Sequence, residues 1–159
     1  MELFHQGKFF NPTKGALAIE EVFEEMHEYM AEKPEKSYEI IVGCDSSSAE
    51  EPTFPLVVVV LRRGEGGRFF IQRVRYPEGR KFYNLHERIM QEVFLSCEFA
   101  HFLQGQFGDK IQYIHADVGE NGPTKDMIKE IVGLIRGNGF EPVIKPESFA
   151  ASSVADRFS

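Results

Sequence analysis

The sequence predicts a mixed α/β fold. It has one five-stranded sheet with an antiparallel meander of strands one to three, parallel strands one, four and five, and helices on both faces. Three observations carry this reading. Three apolar stretches, 38–44, 56–61 and 68–76, follow one another across short loops with no helical pattern between them, so they pair as neighbours. From residue 84 onward the apolar period becomes helical, and helix and strand patterns then alternate. Crossovers between parallel strands are right-handed and usually helical, which sets the later strands parallel to the first.

Taken in order, Asn11-Pro12-Thr13-Lys14-Gly15 reads as a turn with a Thr13 cap, leading into a helix over 16–32. That helix carries Leu17, Val22, Phe23, Met26 and Met30 as its apolar stripe, and Lys33-Pro34 ends it. A similar run, Asn121-Gly122-Pro123-Thr124-Lys125, is explained by a second helix start rather than by a repeat. The strand 38–44 contains Ile40-Ile41-Val42, too continuous for a half-exposed strand and suited to a central one covered on both faces. The stretch 56–61 is continuous in the same way. The glycine-rich turn Arg62-Arg63-Gly64-Glu65-Gly66-Gly67 then joins it to strand 68–76 as a hairpin. Leu85, Ile89, Met90, Val93, Phe94, Cys97, Phe102 and Leu103 place a helix over 84–104. A strand at 111–117 follows, then a helix over 123–136 closed by Gly137-Asn138-Gly139. A short strand 141–145, Pro146 and a helix over 148–157 complete the chain.

Composition sets the frame for function. With 159 residues, 42% hydrophobic, and 15 Phe, the chain suits one domain, 1–159, whose core needs neither disulfides nor a structural metal. The net charge of −7, from 18 basic and 25 acidic residues, argues against non-specific coating of nucleic acid. It leaves open an enzyme that gathers acids into a metal site. Cys44 and Cys97 fit no zinc or disulfide spacing, which points to a reducing compartment. The amino end Met1-Glu2-Leu3-Phe4-His5 lacks the regions of a signal peptide. No apolar run approaches the roughly 20 residues that span a bilayer. The expectation is a soluble cytoplasmic protein with no membrane partner.

Two acids stand where strands run out. Asp45 follows strand 38–44, and Asp117 closes strand 111–117 ahead of two glycines, Pro123 and Thr124-Lys125-Asp126. Ligands of open α/β sheets bind at that edge, in the crevice beyond the strand ends. If the two strands are parallel neighbours, both carboxylates reach one point. Taken alone, Asp45 reads sooner as a turn cap with Ser46 and Ser47, and it is Asp117 in the equivalent place that turns the reading towards a site. His115 shares a strand face with Asp117, and reads as a hydrogen-bonded core histidine rather than a metal ligand. Cys44 reads as a small buried residue. Asn121, Thr124 and Lys125 either cap a helix or hold a substrate phosphate at its amino end. Arg62, Arg63, Arg68, Arg73, Arg75, Arg80 and Lys81 are the one basic concentration, either a solvated hairpin or a grip on a nucleic-acid backbone.

Three stretches carry a resemblance: Phe10-Asn11-Pro12-Thr13-Lys14-Gly15, the run from His115 to Lys125, and the run from Lys145 to Asp156. They resemble the YkuK-type family of ribonuclease H-like proteins, whose architecture matches the mixed sheet read above. The superfamily resemblance implies a site of carboxylates. One ends the first strand, one lies on the first crossover helix, one ends the fourth strand and one lies on the last helix. Carried over by position, these are Asp45, a glutamate of the 84–104 helix, Asp117 and Asp156. The helix offers Glu87, Glu92 and Glu98. Glu98 lies far along it; Glu87 is nearest its start; Glu92, on one face with Arg88 and Ser96, is favoured. Asp156 also reads as a solvated residue near the carboxyl end.

The resemblance implies a metal-dependent nuclease, with Asp45, Glu92, Asp117 and Asp156 holding one or two Mg2+ or Mn2+ ions and water as nucleophile. Two divalent ions about 3.5–4 Å apart, bridged by carboxylates, neutralise the attacking and leaving oxygens of a phosphodiester. Clustered acids without a cation repel, by on the order of 4 kcal/mol for a pair at 4 Å and an effective dielectric of 20. The competing reading is a non-catalytic nucleic-acid-binding or regulatory module on the same fold. A phosphatase of the haloacid dehalogenase type is set aside, because it needs a second Asp where Ser47 stands.

Overall fold

The computed structural model describes residues 7–47, 52–76 and 80–150. It contains one sheet with seven strands: β1 (Phe9–Asn11), β2 (Gly15–Leu17), β3 (Tyr38–Cys44), β4 (Phe54–Arg62), β5 (Gly66–Val74), β6 (Ile111–His115) and β7 (Glu141–Val143). Three helices of two turns or more accompany it: α1 (Ile19–Glu32), α2 (Leu85–Phe107) and α3 (Ile128–Gly137). The strand order across the sheet is β2-β1-β5-β4-β3-β6-β7.

The expected meander is present. β3 pairs antiparallel with β4 from Tyr38↔Arg62 to Cys44↔Leu56, and β4 with β5 from Phe54↔Val74 to Arg62↔Gly66. The turn between β4 and β5 closes because Gly64 and Gly66 adopt φ of +79° and +96°, which only glycine does at little cost. β6 pairs parallel with β3, and β7 parallel with β6. β3 is thus flanked on one side by its antiparallel neighbour β4 and on the other by its crossover partner β6.

The strand count differs from the five expected, because a short hairpin, β1–β2, extends the β5 edge. Asn11-Pro12-Thr13-Lys14-Gly15 is a turn, as read, but it joins two strands instead of starting a helix. Asn11 Oδ1 accepts from the Thr13 and Lys14 amides at 2.9 Å each, and Asn11 Nδ2 donates to Phe69 O at 3.0 Å. Thr13 is therefore not the cap of α1. That helix begins at Ile19, with Glu21 Oε1 accepting from Ala18 N at 2.9 Å. Strands of three residues carry too little alternation to be read from sequence.

One face of the sheet carries Ile40, Val42, Val58 and Val60, all fully buried, in a single cluster with Val22 and Met26 of α1, Phe99 and Leu103 of α2, and Ile131 and Ile135 of α3. The opposite face carries Ile41, Val57, Val59 and Ile71, which cluster with Ala150. The helix expected over 148–157 lies almost wholly outside the described residues. Among the described residues no helix is long and apolar enough to cross a membrane.

The basic hairpin splits into parts with different roles. Arg62 is only 6% exposed. Its guanidinium lies 3.9 Å from the Tyr29 ring centroid, donates to Tyr29 O at 2.8 Å and to the Tyr38 hydroxyl at 3.0 Å, and pairs with Glu32 at 3.3 Å. It braces α1 against β4, so it is withdrawn from any surface grip.

Phe99 stacks on Phe9 at 5.6 Å between centroids and is completely buried. Phe99→Ala therefore lowers unfolding free energy by about 3–5 kcal/mol, as large-to-small core changes do. Phe10→Ala, at a side chain 40% exposed, changes it by less than about 1 kcal/mol. Urea titration of both variants reads the difference, and equal midpoints would contradict this placement of the core.

Candidate functional site

The parallel pairing of β3 and β6 determines where the acids arrive. Gly43 is the register partner of His115. Asp45 lies two residues beyond Gly43, and Asp117 two beyond His115, so both leave the sheet at the same edge. Asp45 is held by Asp45 N donating to Pro55 O at 3.2 Å, while its Oδ1 accepts from Ser46 N at 2.8 Å. The loop continues with Ser47 N donating to Thr53 O at 3.2 Å. On the other strand, Ala116 N donates to Val143 O and Lys145 N to Val118 O, each at 2.9 Å, which ties the Asp117 loop to the end of β7.

The helix acid beside them is Glu92. It is 3% exposed, and Ser46 Oγ donates to its Oε2 at 2.6 Å. Burial, then the charges of Asp45 and Asp117, push the Glu92 carboxyl well above the usual carboxylate range, against the hydrogen bond from Ser46 and the charge of Arg88. Three acids from separate parts of the chain thus act on one another electrically. Glu87 is spent at the helix start: Asn84 Oδ1 accepts from Glu87 N at 2.9 Å, and Glu87 Oε2 accepts from Tyr83 N at 3.0 Å. Asp156 lies outside the described residues.

Two cations attend the acids. Arg88 Nη1 donates to Ser47 O at 3.3 Å. Lys145 Nζ lies 3.2 Å from Asp117 Oδ1. Its stem packs over Gly119, where an added Cβ would stand 2.9 Å from Lys145 Cβ. Sequence reading missed Lys145, because a lysine after a short strand carries no signal until Gly119 and Asp117 are seen beneath it. Among the described residues, no group of three or more His, Cys, Asp or Glu side chains stands close enough to hold a metal ion. All the acids nonetheless offer hard oxygen donors, the type that magnesium and manganese take.

The residues after Asp117 divide similarly. Thr124 is buried and its Oγ1 accepts from Gly119 N at 3.1 Å, so its hydroxyl braces the loop. Asn121 and Lys125 are exposed. A single 3-10 turn, Lys125–Met127, precedes α3, so the helix proper starts at Ile128 and not at 123. His115 is buried, and its Nδ1 accepts from Ala150 N at 3.1 Å. Burial lowers its pKa to about 4, as befits a neutral core imidazole. Cys44 is buried, and burial followed by the charges of Glu92 and Asp45 pushes its thiol well up, so it is no nucleophile.

Comparison with known proteins agrees with this architecture. A model of the ribonuclease H-like family matches residues 21–159. The uncharacterized protein YkuK of Bacillus subtilis (strain 168) is 29% identical over 166 residues, which cover 95% of this chain and 96% of that one. No solved structure matches.

Two pH-dependent outcomes follow from the buried groups. His115 stays neutral when folded but binds a proton near its ordinary pKa of 6.5 when unfolded. Its stabilising effect is whole above pH 6.5 and is lost as pH falls towards about 4, a loss on the order of 3 kcal/mol. The amide of His115→Asn keeps an acceptor for Ala150 N, so stability curves for that variant fall less steeply across this window. Glu92 behaves oppositely. Its raised pKa gives stability that is full at acid pH and fades as pH rises through its folded titration. In EDTA, Glu92→Gln therefore melts higher than the parent at pH 8, and the gap narrows towards pH 5. A lower melting temperature for Glu92→Gln at pH 8 would contradict a charged burial there.

Proposed function

The chain belongs to the ribonuclease H-like family, and on that premise we propose that it is a metal-dependent nuclease hydrolysing phosphodiester bonds of nucleic acid. The observation that carries this reading is the buried Glu92 carboxyl, raised in pKa by burial and by Asp45 and Asp117. Acids that burden one another in this way suit a cation. Asp45, Glu92, Asp117 and, from the family resemblance, Asp156 would hold Mg2+ or Mn2+. When bound, such an ion neutralises phosphoryl charge and acidifies a water.

The chain's own groups have definable tasks. Ser46 Oγ fixes the rotation of the Glu92 carboxyl. Glu92, which burial makes hold its proton more tightly than an ordinary glutamate, would give that proton up to ligate a cation, so metal binding would release protons. Lys145, now on Asp117, would turn its ammonium to the substrate phosphate. The exposed Asn121 and Lys125 would contact the strand next to the cut, while Thr124 holds their loop closed on Gly119.

A second reading, a non-catalytic nucleic-acid-binding or regulatory module, is favoured by one observation: the described acids are not gathered into a metal-holding group.

Labelled single-stranded, hybrid and branched substrates, incubated with magnesium or manganese, separate the readings. Cleavage by the parent protein falls at least about a hundredfold in Asp45→Asn and in Asp117→Asn, since losing even a group that only supports a metal ligand costs 10–100-fold. Cleavage that survives both substitutions overturns the assignment, and tight binding without turnover supports the module. Independently, manganese at 100 times its dissociation constant stabilises the parent by about 2.7 kcal/mol. It raises the melting temperature of Asp117→Asn much less.

A further inference from the structure

Two concavities open near the loop that follows Asp45, and they share a wall. The nearer, of about 290 Å3, is lined by Thr53, Arg75, Tyr76, Arg80 and Phe82. The farther, of about 360 Å3, shares Arg80 and Phe82 with it and adds Lys81, Phe94 and one acid, Glu87, whose carboxylate already accepts from Tyr83 N. The nearer one is joined to the Asp45 loop through Thr53: Thr53 O accepts from Ser47 N at 3.2 Å, Thr53 N donates to Ser47 Oγ at 3.1 Å, and Ser47 follows Asp45 by two residues.

Arg80 is the wall between the two. Its guanidinium lies 4.7 Å from the Tyr76 ring centroid and 5.1 Å from that of Phe82, and Nη2 donates to Gln91 Oε1 at 3.2 Å. Gln91 in turn donates to the Tyr76 hydroxyl. The cation is thus laid flat against aromatic rings before any ligand arrives. Two large apolar side chains of this part of the chain are exposed: Phe94, at 48%, lines the farther concavity, and Tyr83, at 70%, directly follows Phe82, which lines both. An exposed tyrosine and phenylalanine beside ordered arginines are poorly explained by solubility, particularly in a chain of net charge −7.

Alternating cations and rings match a ligand that alternates phosphates and flat heterocycles. A duplex keeps its bases stacked inside, beyond the reach of these rings, whereas an unpaired strand can lay bases on them. We propose that this groove binds single-stranded nucleic acid and leads the strand to the acids at Asp45. Arg75 and Arg80 meet the phosphates, and Tyr83 and Phe94 stack on bases. The inference rests on the nuclease reading for what the strand meets at its end, but its binding test does not need turnover.

Fluorescence anisotropy with fluorescein-labelled twelve-nucleotide RNA and DNA strands, their DNA duplex and their hybrid, in EDTA and again in calcium chloride, tests it. A single strand binds at least tenfold tighter than either duplex. Whether RNA or DNA is preferred identifies the natural strand, and either result supports the groove. Arg75→Ala and Tyr83→Ala, both at exposed positions and checked by melting temperature, weaken binding roughly five- to tenfold, in line with the loss of one stacked base. Arg75→Ala also reduces the salt slope by about 0.7, as expected for one phosphate contact to a single strand. Arg63→Ala, at the opposite end of β4, binds like the parent. No strand binding at about 100 μM, the weak end of non-specific affinity, overturns the proposal, as does equal duplex binding or unchanged affinity in both groove variants. Weakened groove variants without any cleavage would leave the groove standing and remove the nuclease. Cleavage with KM unchanged in the variants would do the reverse.

Discussion

A carboxyl group buried among other acids is a standing cost, and the site is built around that cost at Glu92. The parallel pairing of β3 and β6 makes Asp45 and Asp117 leave the sheet side by side, and α2 packs across the same strands, presenting Glu92 to both. None of the three can be moved far without breaking a strand pairing or a helix contact. What offsets the burden is local: the Ser46 hydroxyl on Glu92, Arg88 nearby and Lys145 on Asp117. A structural role alone would be served better by an amide at position 92.

The Lys145–Asp117 pair bears on how such a rim can open to a cation. Both side chains are partly solvated, at 43% and 21% exposure, and pairs of that kind contribute about 0–1 kcal/mol. The ammonium is therefore weakly held, and on the proposed metal-dependent reading it would give way to a divalent ion. Glu92 is the opposite case, since its hydrogen bond to Ser46 lies in a water-poor setting where direction matters more. The rim thus combines a buried, hydrogen-bonded acid, a partly solvated cation and two strand-end aspartates.

Charge is distributed in keeping with this. The excess acid of the chain discourages broad contact with a polyanion, and Arg62 is turned inward between Tyr29 and Tyr38. Arg75 and Arg80 remain on the outer surface next to the rim, with aromatic rings between them. An acidic protein can handle nucleic acid if some of its accessible cations lie along one path, and in the proposed groove that path would run from Phe94 to Thr53.

The sequence by itself determined the continuous central strands, their meander and the helical crossovers. Apolar periodicity and turn residues are local properties, and the strand at 38–44 was read to the residue. It also placed Asp45 and Asp117 at strand ends, because an acid that follows an apolar run can be seen without knowing its neighbours. The short hairpin at Phe9–Leu17 escaped, since three residues hold too little alternation to declare a strand. The face shared with Arg88 and Ser96 already favoured Glu92 over Glu87, but what each does needed the tertiary structure: packing put one against Ser46 and left the other capping at Tyr83. The same holds for the division of the arginines into Arg62 within and Arg80 without, and for Lys145. Each of those roles depends on contacts between residues far apart in the chain, which no local pattern encodes.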